Sequence, residues 1–164
     1  MSRPRVFQGD GPVLYRRYPI GTLGFMDDGV GLSRVFLWRE GVLPAAAKGE
    51  TPLTLQAAAE LEEYFAGVRR EFTVALSPHG TPFQQEVWRA LRSIPYGEVR
   101  SYGEIAAAAG RPKAARAVGM ANHDNPLLIF TPCHRVVGKN GSLTGFACGL
   151  EVKRQLLELE GAHW

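Results

Sequence analysis

The chain has 164 residues, 45% of them hydrophobic, and nineteen basic against sixteen acidic side chains give it a formal charge of +3. That length holds one substantial core or two small domains, and the longest apolar stretches fall far short of the roughly twenty residues a transmembrane helix needs. Two cysteines without a secretory leader pattern or a dense cysteine framework point to a reducing, cytoplasmic setting, and four scattered histidines beside no close cysteine pair speak against structural zinc. The charge is unevenly spread. Residues 1–78 hold nine basic and nine acidic side chains, whereas residues 79–164 hold ten and seven. Between Arg89 and Arg116 six basic residues stand against only Glu98 and Glu104. Such a bias fits an anionic partner, although a solvated surface explains it as well.

In chain order, Val13 to Tyr18, Gly21 to Met26 and Gly31 to Trp38 read as short half-buried strands, with Asp27-Asp28-Gly29 as a hairpin turn. Thr51-Pro52 opens a helix carrying Leu55, Ala58, Leu61 and Phe65 at helical spacing, which Gly67 is placed to end. Phe72 to Leu76 alternates as one more strand. A domain boundary is expected near Ser77-Pro78, giving domains 1–78 and 79–164. The first is a small sheet carrying a helix, and it holds no catalytic cluster.

The second half changes character. Thr81, Pro82 at N1 and Gln84 at N3 spell a helix start, followed by Phe83, Val87, Leu91 and Ile94 on one stripe and closed by Pro95-Tyr96-Gly97. Ser101 and Glu104 make a capping box for a short helix that Gly110 stops, and a turn at Arg111-Pro112 leads into a third helix from Lys113 to about His123. Two short helices joined by a few residues, the second basic and poor in bulky side chains, fit a helix-turn-helix. Ala114, Ala115 and Ala117 allow a partner's close approach, and helix packing explains them equally.

The apolar run Leu127 to Phe130 reads as a buried strand leading to Pro132-Cys133-His134-Arg135-Val136. A cysteine is only a few per cent thiolate at neutral pH, so a cysteine nucleophile needs a neighbouring base or cation, and His134 is a candidate. The alternatives are an inert core cysteine and a Cys133-His134 hydrolase. The second is disfavoured because adjacent residues on a strand point to opposite faces, unless the strand has ended before them. The glycine-rich stretch from Gly138 to Gly145 has no Walker lysine and follows no dinucleotide-binding turn, so no nucleotide cofactor is expected. A last helix from about Leu150 to Glu160 would bury Val152, Leu156 and Leu159 and end at Gly161, with Glu160 either a surface acid or one reaching back to the core.

Taken together, Pro132-Cys133-His134-Arg135-Val136, Ser101-Tyr102-Gly103-Glu104-Ile105-Ala106, Lys113-Ala114-Ala115-Arg116-Ala117-Val118-Gly119, Asn125-Pro126 and the segment from Gly138 to Lys153 resemble the O6-alkylguanine-DNA alkyltransferase family. Pro19-Ile20-Gly21-Thr22-Leu23 resembles that family's weaker N-terminal signature. The resemblance implies an α/β (α+β) protein with an N-terminal ribonuclease H-like domain and a C-terminal winged helix-turn-helix domain. It further implies a monomeric DNA-repair protein that acts on double-stranded DNA, flips the damaged nucleotide out, and takes the alkyl group from guanine O6 onto its own cysteine once per molecule, without a cofactor or metal. Cys133 would be the acceptor, His134 would deprotonate it through a water, and Glu160 would hold the other ring nitrogen. Asn125 would orient the region, and Tyr102 would donate a hydrogen bond or proton as the guanine leaves. Arg116 would enter the base stack, with Lys113, Ala115, Ala117, Gly119 and Tyr102 along the DNA. Phe146, Ala147, Val136 and Lys153 would line the base pocket. Phe146 stands where some members have tyrosine, Cys148 replaces a frequently small or aromatic residue, and the cysteines of an N-terminal zinc site are missing before residue 78. A non-enzymatic DNA-binding relative is the rival reading, and the acceptor thiol discriminates against it.

Overall fold

A computed structural model describes residues 12–38, 49–143, 146 and 148–164. The chain is a mixed α/β protein of two compact units, Met1–Ser77 and Pro78–Trp164.

In the first unit, strands β1 (Leu14–Tyr18), β2 (Gly21–Asp27) and β3 (Leu32–Leu37) form an antiparallel sheet in the order β1-β2-β3. The β2–β3 turn is fixed by two aspartates that accept backbone N–H groups through their side chains: Asp27 from Gly29, and Asp28 from Val30 and Gly31. Helix α1 (Pro52–Phe65) starts at a reciprocal cap between Thr51 and Thr54, and Gly67 supplies the left-handed residue after its end, at φ 82°. Leu23, Phe25, Leu32, Val35, Leu61 and Tyr64 are buried at the centre of this unit.

The stretch from Phe72 to Leu76 is not a strand, and only Leu76 makes a bridge, to Leu32. The reason lies in Glu60, a buried carboxylate on α1. It accepts hydrogen bonds from Thr73 N (2.9 Å), Thr73 Oγ1 (2.5 Å) and Val74 N (3.2 Å), so a side chain has taken the donors a ladder would use.

In the second unit α2 (Pro82–Arg92) and α3 (Tyr102–Ala108) begin at the expected capping boxes, Thr81 with Gln84 and Ser101 with Glu104. Helix α4 spans Ala115–His123, two residues later than the sequence reading. Arg111 to Ala114 is a turn closed by Ala114 N on Arg111 O, and no side chain caps the helix. Trp88 locks α2 to α4 by donating Nε1–H to Ala121 O at 2.9 Å. Helix α5 (Leu150–Leu159) buries Lys153, Leu156 and Leu157, and Glu160 follows at its C-cap. Val152 and Leu159 are only half-buried, so the inward face is rotated from the predicted one and carries two ionisable groups. Two short parallel strands, β4 (Arg100–Ser101) and β5 (Val136–Val137), tie the segment before α3 to the residues after Cys133. Among the described residues no helix is long and apolar enough to cross a membrane.

Candidate active site

The segment after α4 is shaped by Asn125. Its Oδ1 accepts Leu127 N at 2.9 Å, while its Nδ2 donates to Thr131 O at 2.8 Å and to Cys133 Sγ at 3.1 Å. The buried strand expected over Leu127 to Phe130 is instead a compact turn. Phe130 N meets Leu128 O at 2.8 Å, Thr131 N meets Leu127 O at 2.9 Å, and Ile129 takes a left-handed φ of 72°. A β-branched residue is strained in that region, so the turn persists only because its surroundings over-determine it. Leu127, Leu128, Ile129 and Phe130 are all buried, which explains why composition alone reads as a core strand.

Cys133, His134 and Arg135 form one 3-10 turn between Pro132 and β5. They therefore lie outside any strand, and alternation across one does not apply to them. In such a turn successive side chains fan out by about 120°. Cys133 is directed to Asn125. His134 and Arg135 both reach Glu160, 26 and 25 residues further along.

Glu160 accepts hydrogen bonds from His134, Arg135 and Gly97. His134 Nε2 lies 2.8 Å from Oε2, Arg135 Nη2 donates to Oε2 and Nε to Oε1 (both 2.9 Å), and Gly97 N donates to Oε1 at 3.2 Å. The third guanidinium nitrogen, Nη1, donates to Ile94 O at 2.7 Å, and the guanidinium lies 5.8 Å from the centre of the Tyr96 ring. His134 is fully buried, and its Nδ1 has no hydrogen-bond partner among the described residues. With Nε2 as the donor to a carboxylate, Nδ1 is the atom that keeps a lone pair.

Burial dominates the electrostatics. It pushes the Cys133 thiol up to about 12, against the opposing pull of the Asn125 hydrogen bond and the Lys153 charge. Burial also pushes His134 down, opposed by Glu160 and reinforced by Arg135 and Lys153. Lys153 is pushed down to about 8 by burial, opposed by Cys133. For Glu160 burial alone would act upward, but His134 and Arg135 overcome it and hold the carboxyl well below the usual range. The resting site is thus a protonated thiol, a neutral imidazole and a buried carboxylate–guanidinium pair. A thiol in that state is inert until a base removes its proton.

The structure brings Cys133, Asn125, His134, Glu160 and Lys153 together in the second unit. Lys153 Nζ also lies 5.8 Å from the centre of the Phe146 ring, and Phe146 and Val136 are buried. Tyr102 is the first residue of α3 and half-buried, close enough to α4 that a Cβ on Gly119 would sit 3.9 Å from its ring. Lys113, Ala115, Arg116 and Ala117 are exposed at the start of α4, apart from the buried cluster, and Met120 is exposed one turn beyond Arg116. Ala147 lies outside the described residues. Cys148 is a half-buried thiol.

Two residues were missed from sequence. Arg135 passed as part of the cysteine motif, although an arginine next to a buried histidine needs a partner of its own. Asn122 is buried, and its Nδ2 lies 3.5 Å from Cys133 O. Its place on the inward stripe of α4 with Val118 and Ala121 was the available signal.

Comparison with known proteins assigns a class to this arrangement. The family model described as the 6-O-methylguanine DNA methyltransferase DNA binding domain matches residues 82–162. The constitutive methylated-DNA–protein-cysteine methyltransferase of Bacillus subtilis is 51% identical over 150 residues, covering 87% of this chain and 90% of that protein. The methylated-DNA–protein-cysteine methyltransferase of Methanosarcina acetivorans is 59% identical over 107 residues, 65% of this chain and 69% of its own length. Among solved structures, the Mycobacterium tuberculosis O6-methylguanine methyltransferase superposes with a TM-score of 0.82 at 45% identity, covering 92% of each chain. The Mycobacterium tuberculosis OGT in complex with DNA gives 0.81 at 45% identity over 92% of this chain and 93% of that one. The chain belongs to the methylated-DNA–protein-cysteine methyltransferase family.

Proposed function

We propose that the protein repairs O6-alkylguanine in double-stranded DNA by moving the alkyl group irreversibly onto Cys133, each molecule acting once. The observation that carries this reading is a shielded thiol, held by Asn125 at 3.1 Å, on the same turn as a histidine whose far nitrogen is fixed by a buried carboxylate. The Cys133 proton passes through a bridging water to His134 Nδ1, and Glu160 supports the imidazolium that forms. The thiolate attacks the alkyl carbon as the carbon–O6 bond breaks, and the electron pair leaves with the guanine. Tyr102 donates a hydrogen bond or proton to the departing base. Lys153 stabilises the developing sulfur charge, and Phe146 and Val136 wall the base pocket. The product is a thioether, so the balance needs no cofactor.

A buried sulfur cannot reach an atom inside a duplex, which requires the nucleotide to leave the stack. The helix-turn-helix of α3 and α4, as part of a winged domain, supplies the DNA surface. Lys113, Ala115, Ala117 and Gly119 run along the minor groove, and Arg116 fills the gap in the stack. The protein acts as a monomer in the cytoplasm, and phosphate contacts make its search largely independent of sequence.

An equimolar duplex containing one O6-methylguanine is expected to leave a single methyl group on the Cys133 peptide, read by intact-protein and peptide mass. Repeated turnover, methylation confined to Cys148, or tight binding with no transfer would overturn the reading, the last in favour of a non-enzymatic binder.

Arg116→Ala is expected to slow repair of duplex DNA by about tenfold or more while sparing reaction with free O6-benzylguanine. Duplex affinity of the unmodified protein should fall as salt rises, because bound phosphates release counterions. Equal losses on duplex and free base would place Arg116 in the pocket instead of the stack.

A further inference from the structure

Glu160 faces two demands that conflict. A carboxylate beside an imidazole fixes its tautomer, yet an isolated carboxylate also favours the imidazolium, which has no lone pair left to accept a proton. The arrangement around Glu160 resolves the conflict. Arg135 places Nε on one oxygen and Nη2 on the other, each at 2.9 Å, so the guanidinium forks across the whole carboxylate. His134 then faces a neutral ion pair in place of a bare negative charge.

We propose that Arg135 is a positioning residue of the transfer reaction: by gripping both oxygens of Glu160 and balancing its charge, it keeps His134 neutral with Nδ1 directed to the Cys133 proton. The inference rests on the alkyl-transfer reading above and adds a residue to it. Among the described residues, the charged and titratable groups around His134 are Lys153 from α5, Glu160 at its C-cap, and Cys133 and Arg135 from its own turn. Burial leads the downward shift of His134, Glu160 opposes it, and the positive charges of Arg135 and Lys153 offset part of that opposition. Gly97 N, from the segment between α2 and β4, contacts Glu160 Oε1 and adds no charge.

The fork cannot be reproduced by an ammonium. Arg135 uses all three of its nitrogens, two on Glu160 and Nη1 on Ile94 O at 2.7 Å, which anchors the pair to the end of α2. Lysine offers a point charge on a flexible stem and cannot serve both oxygens and the carbonyl in one plane. Charge and geometry can therefore be separated by two substitutions, Arg135→Gln removing both and Arg135→Lys keeping only the charge.

The test is single-turnover methyl transfer from an O6-methylguanine duplex, followed from about pH 5 to about pH 9, together with an NMR titration of His134 in the DNA-free protein. Removing a neighbouring positive charge favours the imidazolium, so Arg135→Gln is expected to raise the His134 midpoint and move the acid limb of the rate profile upward by about one pH unit. Transfer is then lost at mildly acidic pH and partly recovered at alkaline pH. Arg135→Lys is expected to leave the limb close to that of the wild type and to lower the plateau, because charge is kept and the fork is lost. A slower Arg135→Gln protein whose rate profile and His134 midpoint both stay in place would overturn the proposal and leave Arg135 a purely structural residue. Should Arg135→Gln fail to fold, Arg135→Lys decides by itself, since a plateau equal to that of the wild type overturns the geometric role. Absence of transfer by the wild-type protein at every pH would overturn the underlying reading instead, and is recognised by affecting all three proteins alike.

Discussion

Replacing Cys133 by alanine is expected to abolish alkyl transfer completely while leaving duplex affinity within about twofold of the original, because the proposed phosphate and groove contacts belong to exposed residues elsewhere. The sulfur is buried and held by Asn125, so the variant loses one hydrogen bond and a small volume, a cost of about 1 kcal/mol. Transfer and gel-shift assays on one preparation check both halves. A folded Cys133→Ala protein that no longer binds DNA would contradict the separation of the exposed start of α4 from the buried thiol. Residual methylation would move the acceptor to Cys148.

Glu160→Gln is expected to have the second largest effect, and in two measurable ways. Transfer should slow by about 10- to 100-fold, since an amide supports neither the imidazole tautomer nor the charge that develops on it. Stability should fall by about 3 to 5 kcal/mol, because the buried Arg135 guanidinium loses its counter-charge. The pH dependence follows from sign. The Glu160 carboxyl sits lower in the folded protein than in the unfolded chain. Its contribution is therefore fully present above the unfolded value of about 4.3 and is lost as pH falls toward the folded value. Denaturant unfolding below about pH 5 should show a steep loss in the wild type and a shallower one in Glu160→Gln. An unchanged transfer rate and profile, with folding preserved, would remove Glu160 from the mechanism.

What could be read from the sequence was whatever neighbouring residues decide among themselves. Thr81 with Gln84 and Ser101 with Glu104 specify helix starts within four residues, and both are found where the pattern put them. The Asp27-Asp28-Gly29 turn is equally local. The readings failed where a distant partner decides. Phe72 to Leu76 alternates like a strand, but Glu60 claims the Thr73 and Val74 amides from another element. Leu127 to Phe130 is apolar enough for a strand, but Asn125 folds it into a turn through Ile129. Helix α5 shows a hydrophobic stripe on Val152, Leu156 and Leu159. The helix is instead oriented by Lys153 and Glu160, whose burial makes sense only once Phe146, His134 and Arg135 are in place. The candidate site was visible as a motif, whereas the Arg135 fork and Asn122 behind Cys133 were not, because their meaning depends on contacts that only folding creates.

The long span between the 3-10 turn and Glu160 bears on how the protein comes into being on the ribosome. His134 and Arg135 are synthesised before the acid that receives them, and Lys153 also arrives afterwards. A nascent chain without α5 lacks the Lys153 charge near Cys133 and the carboxylate that orients His134. Docking of α5 brings both in a single event, so that maturation of the fold also completes the surroundings of Cys133.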